Sequence, residues 1–159
     1  MREIAFYIAS NDDLPALATL RWRLKAGDDA PLQGEDFELF VGAFTRHERA
    51  AQARGDCVHW IADVNGAPVA AMSVVVVRKV TSPEGAERRW AYLTNCYVLA
   101  EHRNTGVGSR LLQAIQSWAK DQAFECIIVW PSERAFPFYE RSEFQRPEDM
   151  LVWTAPPGD

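Results

Sequence analysis

The chain has 159 residues, 48% of them hydrophobic and 25% charged, and its 17 basic and 22 acidic residues leave a net charge of −5. That balance suits one globular domain whose core needs no metal or disulfide staples, and it excludes a disordered chain, a collagen-like repeat and a coiled coil. No apolar run nears the ~20 residues that span a bilayer. The opening MREIAFYIASNDD has too short an apolar stretch before its acidic residues for a secretory signal, so a cytoplasmic setting is expected. An acidic total with no basic patch speaks against nucleic acid or an anionic membrane surface as partner.

A strand over Glu3–Ala9 opens the chain. Ser10 and Asp13 then stand at capping-box spacing, and Leu14, Leu17, Arg21 and Leu24 follow at helical spacing as far as Gly27. Pro15 is tolerated there because a first-turn residue has no helical N–H to give up. Gly27–Gly34 reads as a loop, and a second helix from Glu35 to Gly55 carries a stripe of Phe37, Phe40, Val41 and Phe44. The runs Cys57–Val64 and Pro68–Lys79 flank Asn65-Gly66, a strong hairpin signal. The unbroken Val74–Val77 predicts a strand covered on both faces. After a turn at Ser82–Gly85, a strand runs over Arg89–Leu99 and a helix from Gly106 to Ala123, with Val107, Leu111, Ile115 and Trp118 on one face. A short strand over Cys126–Trp130, a short helix over Arg134–Arg141 and a closing strand over Met150–Thr154 complete the order βααβββαβαβ. The prediction is one mixed α+β domain over residues 1–155 with a frayed tail at 156–159.

Three cysteines at wide spacing, with no Cys-x-x-Cys pair, predict buried thiols in a reducing compartment, neither zinc ligands nor a redox couple. His47, His59 and His102 show no metal spacing; His59 fits a packed or edge histidine and His102 a solvated one. Six tryptophans are spread one per element, and core packing accounts for most of them. No Gly-x-Ser-x-Gly elbow occurs, which leaves a serine hydrolase without support.

The chemistry concentrates where the Arg89–Leu99 strand runs through Arg103-Asn104-Thr105-Gly106-Val107-Gly108 into a helix. Two glycines one residue apart let the backbone turn tightly at a helix N-terminus, which makes a site for phosphate or pyrophosphate. Arg103 and Arg110 flank the turn and suit the same anion. A nucleotide P-loop requires Gly-Lys-Ser/Thr where this chain has Gly108-Ser109-Arg110, and a dinucleotide fingerprint requires a third glycine where Leu111 stands. The pattern alone also fits an arginine-bearing turn that merely starts a helix.

Arg103-x-x-Gly106-x-Gly108 is similar to the coenzyme loop of the GNAT N-acetyltransferases, Arg/Gln-x-x-Gly-x-Gly/Ala after a strand. Cys96-Tyr97-Val98-Leu99-Ala100-Glu101-His102-Arg103 resembles that family's fourth strand entering the loop. Trp130–Phe144, with its Phe138-Tyr139-Glu140-Arg141 helix, resembles the family's later segment. Glu143 departs from it, standing where a glycine usually ends the helix, so that end needs another cap or a strained residue.

The resemblance implies a GNAT-like domain with a mixed, mostly antiparallel sheet, splayed central strands and flanking helices. It also implies acetyl-CoA as cosubstrate, with no metal. The backbone of Tyr97 and Val98 would hold the pantetheine and polarise the thioester. Arg103 and the turn amides of Asn104, Thr105, Gly106, Val107, Gly108 and Ser109 would hold the pyrophosphate, and Ser132 would touch the pantetheine arm. Tyr139 matches the tyrosine that protonates the departing sulfur; read from its own residues alone, it is an aromatic packed beside Phe136 and Phe138. Between Trp90 and Leu99 there is no acid to deprotonate the acceptor, and Asn95 is the candidate to orient the amine or a water. The acceptor is expected to be a small amine or a peptide amino group. Asp28 and Asp29 suit a cationic amine, as they suit an exposed loop of an acidic protein. A non-catalytic acyl-CoA-binding module is the alternative reading, and a homodimer stays open.

Overall fold

The computed structural model describes residues 3–157. Five strands, β1 (Ile4–Ile8), β2 (Cys57–Val64), β3 (Ala67–Arg78), β4 (Arg89–Val98) and β5 (Cys126–Val129), form one open sheet in chain order. All neighbours are antiparallel except β4 and β5, whose parallel pairing needs a crossover, supplied by α3 (Val107–Asp121). Helices α1 (Leu14–Ala26) and α2 (Glu35–Arg54) cover one face, and α3 covers the other, with α4 (Phe136–Glu140) at its end.

Local chemistry sets these boundaries. The Ser10 side chain accepts from the Asp12 N–H at 3.2 Å while Asp13 accepts from the Ser10 N–H at 2.7 Å, so the box caps a 3-10 turn that leads into α1. Asn65 (φ 55°) and Gly66 (φ 83°) supply the two positive φ values of a tight hairpin between β2 and β3. The α3 end is closed by Ala123 at φ 56°, with Phe124 N–H donating to the Ala119 carbonyl at 2.9 Å.

The core lies on both faces of the sheet. Leu111, Leu112 and Ile115 of α3 pack on Trp60, Met72, Val74 and Leu93, while Leu14, Leu17 and Leu20 of α1 pack on Ile61, Ala71 and Tyr97. The stretch covered on both faces is Val69–Val74; Val77 lies near the strand end and is exposed, because the helices do not reach it.

The expected strand over Met150–Thr154 does not form. Leu151 is 98% exposed and Trp153 83%, and these residues take no place in any ladder. Strand propensity counts only when a pleated partner is at hand, and β5 is just four residues long with Pro131 soon after it. Cys126 is likewise exposed and Cys96 half-buried, because each lies toward an open side of its strand; only Cys57 is fully buried. Trp130 and Trp153 also stand in solvent. The expectation of a frayed tail falls partly on residues 158–159, outside the described chain, while 156–157 are exposed without regular structure.

Candidate functional site

The parallel ladder of β4 and β5 ends at Leu93–Val129, whereas β4 stays paired with β3 as far as Val98–Ala70. Beyond Leu93, β4 therefore has no partner on its β5 side, and a gap opens between the strands. A bulge sits in this stretch, where the β3–β4 register shifts between Ala71 and Ser73 and Asn95 takes φ 56°. Asn is the side chain that tolerates this left-handed backbone best after glycine.

The turn after β4 follows from its sequence. Asn104 (φ 59°) and Gly106 (φ 85°) are left-handed, Thr105 Oγ1 donates to the His102 carbonyl at 2.6 Å, and α3 begins at Val107. The first amides of α3 have no helical acceptor and face outward from its positive end. A Cβ on Gly108 would lie 3.3 Å from the Val98 side chain and 3.6 Å from Phe138, so this glycine lets loop, strand and α4 close together.

These elements wall a cleft of about 730 Å³. Tyr97, Val98, Arg103, Asn104, Gly106, Gly108, Ser109 and Tyr139 all line it. Asn95, Thr105, Val107 and Ser132 do not: Val107 is buried under the helix, and Ser132 starts the 3-10 turn before α4. Further cleft residues escaped the sequence reading of the site, among them Arg23, Met72, Arg134 and Arg141, and Cys96 as a wall residue. The repeated arginines around the Phe138-Tyr139 helix were the available clue to two of them.

Arg103 is already engaged. Its Nη1 and Nη2 donate to Asp28 at 2.8 and 2.6 Å, its Nε donates to the Val98 carbonyl at 3.0 Å, and Tyr97 Oη donates to Asp28 at 2.6 Å. These bonds hold the Asp28 carboxyl at about 2, well below the usual carboxylate range, and burial with the Asp28 charge pushes Tyr97 up to about 12. Asp28 is thus neutralised by Arg103 and leaves no spare charge for a cationic amine. Arg110, expected beside Arg103, instead lies 5.0 Å over the Phe6 ring. Its position on α3 points it at β1, away from the cleft.

Tyr139 is 6% exposed, packed edge-on against Phe138 at 5.0 Å and Phe144 at 5.4 Å. Burial and the neighbouring Cys96 thiol raise its pKa above the ordinary phenol value, which keeps the hydroxyl protonated. Cys96 is itself pushed up to about 11 by burial. Glu143 holds this packing in place: at φ 67° it ends the helix, its N–H donates to Glu140 at 3.1 Å, and Phe144 N–H donates to Tyr139 at 3.1 Å. This is the helix ending that glycine usually makes, built here on a strained glutamate.

On the α1 side of β4, Asn95 Nδ2 donates to Ser73 Oγ at 3.0 Å and Asn95 Oδ1 accepts from Arg21 Nη1 at 3.4 Å. Ser73 meets His59 at 2.7 Å, and His59 meets Glu48 at 3.0 Å. Glu48, Cys57 and His59 bring potential metal-ligand atoms within 4.8 Å of one another. Both His59 nitrogens are taken by hydrogen bonds, and burial pushes the Cys57 thiol up to about 12, so the trio does not fit a metal centre.

A family model described as the acetyltransferase (GNAT) family matches residues 17–144. Among solved structures, the chain is similar to a predicted acetyltransferase from Clostridium acetobutylicum crystallised with acetyl-CoA (21% identity, 96% of each chain, TM-score 0.74). It is similar as well to glucosamine-6-phosphate N-acetyltransferase from Arabidopsis thaliana (14% identity, 96% of this chain and 98% of that one, TM-score 0.71). A third likeness is to an aminoglycoside acetyltransferase from an uncultured soil metagenomic sample (15% identity, 98% of this chain and 97% of that one, TM-score 0.71). At these identities the shared property is the fold.

Proposed function

The chain belongs to the acetyltransferase (GNAT) family, and from that premise we propose that it transfers the acetyl group of acetyl-CoA to a primary amine by direct attack. The observation that carries this reading is that the turn of Asn104–Ser109 and the buried Tyr139 hydroxyl open onto one cleft, at the place where β4 leaves β5. The free amides of the turn suit a pyrophosphate, and the unpaired edge of β4 at Tyr97 and Val98 suits the amides of a pantetheine arm. Thr105, Val107 and Ser132 take part in this reading through their backbone or the adjoining turn, since their side chains lie off the cleft.

In the reaction the neutral amine attacks the thioester carbonyl carbon, forming a C–N bond as the C–S bond breaks. The departing thiolate takes the Tyr139 proton, and the proton shed by the amine leaves through water. Burial keeps the Tyr139 hydroxyl protonated, so the proton is present at physiological pH; because burial also weakens the acid, its transfer depends on the hydroxyl lying beside the departing sulfur. Asn95, next in the chain to the cleft residues Cys96 and Tyr97 though outside the lining itself, is the residue this reading assigns to orient the amine. The acceptor in this reading is a small amine or a peptide amino group, entering where Arg23, Leu24 and Tyr97 line the cleft. Three free thiols suit a reducing, cytoplasmic setting.

The test is thiol release from acetyl-CoA across a panel of amines. Tyr139→Phe is expected to lose about 10²- to 10⁴-fold in turnover while still binding coenzyme A. Tight coenzyme binding with no thiol release for any amine by the wild type would instead support an acyl-CoA-binding module, a reading favoured by the absence of a carboxylate along Trp90–Leu99.

A further inference from the structure

His59 and Ser73 are the buried polar side chains of the described core, 2% and 3% exposed, and no step above uses them. They belong to one line of hydrogen bonds that crosses the sheet beneath α1 and α2. It runs Arg21 Nη1 to Asn95 Oδ1 (3.4 Å), Asn95 Nδ2 to Ser73 Oγ (3.0 Å), Ser73 Oγ to His59 Nδ1 (2.7 Å) and His59 Nε2 to Glu48 Oε2 (3.0 Å).

The direction of this line follows from chemistry. An ionised Glu48 can only accept, so His59 Nε2 carries the proton. Burial lowers the His59 pKa against the pull of Glu48, so the ring is neutral near pH 7 and its Nδ1 is bare. Ser73 must then donate to Nδ1, which leaves its oxygen lone pairs to accept from an amide NH2. The Asn95 amide is consequently fixed with its nitrogen toward Ser73 and its oxygen toward Arg21. Every donor points from α1 to α2.

We propose that Ser73, His59 and Glu48 are positioning residues for the acceptor amine, acting by locking the Asn95 side chain with its oxygen toward Arg21. The inference rests on the acetyl-transfer reading above. Asn95 precedes the cleft residues Cys96 and Tyr97, and its Oδ1 has two lone pairs, one taken by Arg21 and one left for an amine N–H that enters beside them. A reversed amide would present donors to a donor. An amide passes a proton on only through its imidic acid, so the line orients the amine and does not conduct its proton.

The groups facing His59 are few. Among the described residues, Glu48 and Phe44 come from α2, Cys57 from its own strand, Ser73 from β3, and from the β1 side the Ala9 N–H, on the His59 carbonyl. Glu48 is shared with the exposed His47 at 2.9 Å, and Arg21 of α1 is the cation at the far end. Protonating His59 turns Nδ1 into a donor, so Ser73 must donate toward Asn95 and the amide must reverse.

Steady-state kinetics and NMR test this together. Ser73→Ala is expected to lower kcat/KM for the amine about tenfold, the effect of one lost hydrogen bond, and leave the KM for acetyl-CoA unchanged. Ser73→Thr, which keeps the hydroxyl, restores most of the loss. Equal losses toward both substrates, no loss at all, or no rescue by Thr overturns the proposal. In ¹⁵N-labelled wild type, the Asn95 side-chain NH2 signals, assigned with Asn95→Asp, shift with the His59 imidazole on acidification and cease to do so in Ser73→Ala. An Asn95 signal indifferent to His59 overturns it as well. If the wild type releases no thiol with any amine, the acetyl-transfer reading fails, and the proposal for the amine fails with it. The Asn95 signals would then report only whether the line of bonds exists.

Discussion

Asp28 shows how far one contact can redefine a residue. As one of two acids in a loop it suited a cationic substrate; folded, it accepts from both Nη atoms of Arg103 and from Tyr97. With Nε on Val98, three of the five Arg103 N–H groups are committed and its charge is offset by Asp28. Phosphates of an incoming coenzyme meet a cation whose charge the carboxylate already offsets. Asp28→Asn is therefore expected to tighten coenzyme A binding severalfold in calorimetry at low salt, where exposed charges are least screened. Weaker binding would mean that the carboxylate holds the loop in its receptive form. The lowered Asp28 pKa fixes the pH window. The pair's contribution is complete above the usual carboxylate range of about 4 and is lost only as pH falls through about 2.

At the scale of elements, two helix ends carry strain that the sequence announced in one case and concealed in the other. Glu143 stands where a glycine was expected, and it does take the left-handed conformation, at φ 67°. Ala123 at the end of α3 does the same at φ 56°, though nothing in its neighbours marks it. Each costs about 1 kcal/mol relative to glycine. Glu143→Gly and Ala123→Gly should each raise the thermal midpoint by about 2–4 °C, the shift such an energy makes in a domain of this size. Differential scanning calorimetry decides it, and an unchanged or lower midpoint refutes the account of these caps. The missing strand at Met150–Thr154 is the reverse case, a good local sequence without a partner ladder among the described residues.

For the molecule as a whole, the buried His59 couples folding to pH. Its folded pKa is depressed, chiefly by desolvation, from an unfolded value near 6.5. Above about pH 6.5 the ring is neutral in both states and this group adds no pH dependence. As pH falls below that value the unfolded chain takes up a proton that the folded chain resists, so stability declines. The thermal midpoint should be level from about pH 8 to 6.5, fall toward pH 5, and flatten in His59→Gln across the same interval. A midpoint that rises on acidification contradicts the depressed pKa. The net charge of −5 also conceals a local reversal, because Arg23, Arg103, Arg134 and Arg141 gather around one cleft. The expected pair, Arg103 with Arg110, was only half of that.

By itself the sequence determined the element order from Glu3 to Arg141, the two-glycine turn before α3 and the family, because those rest on local periodicity, capping and a contiguous motif. Cys57–Val64 was legible residue for residue, since hydrophobic patterning and the Asn65-Gly66 turn act over a few neighbours. Only the tertiary structure decided what each polar side chain does. Arg103 meets Asp28 across 75 residues of chain, Asn95 meets Ser73 across 22, and Arg110 turns to Phe6. Such pairings depend on which faces of the sheet the helices cover, and a hydrogen bond leaves no period in the sequence by which to find its partner.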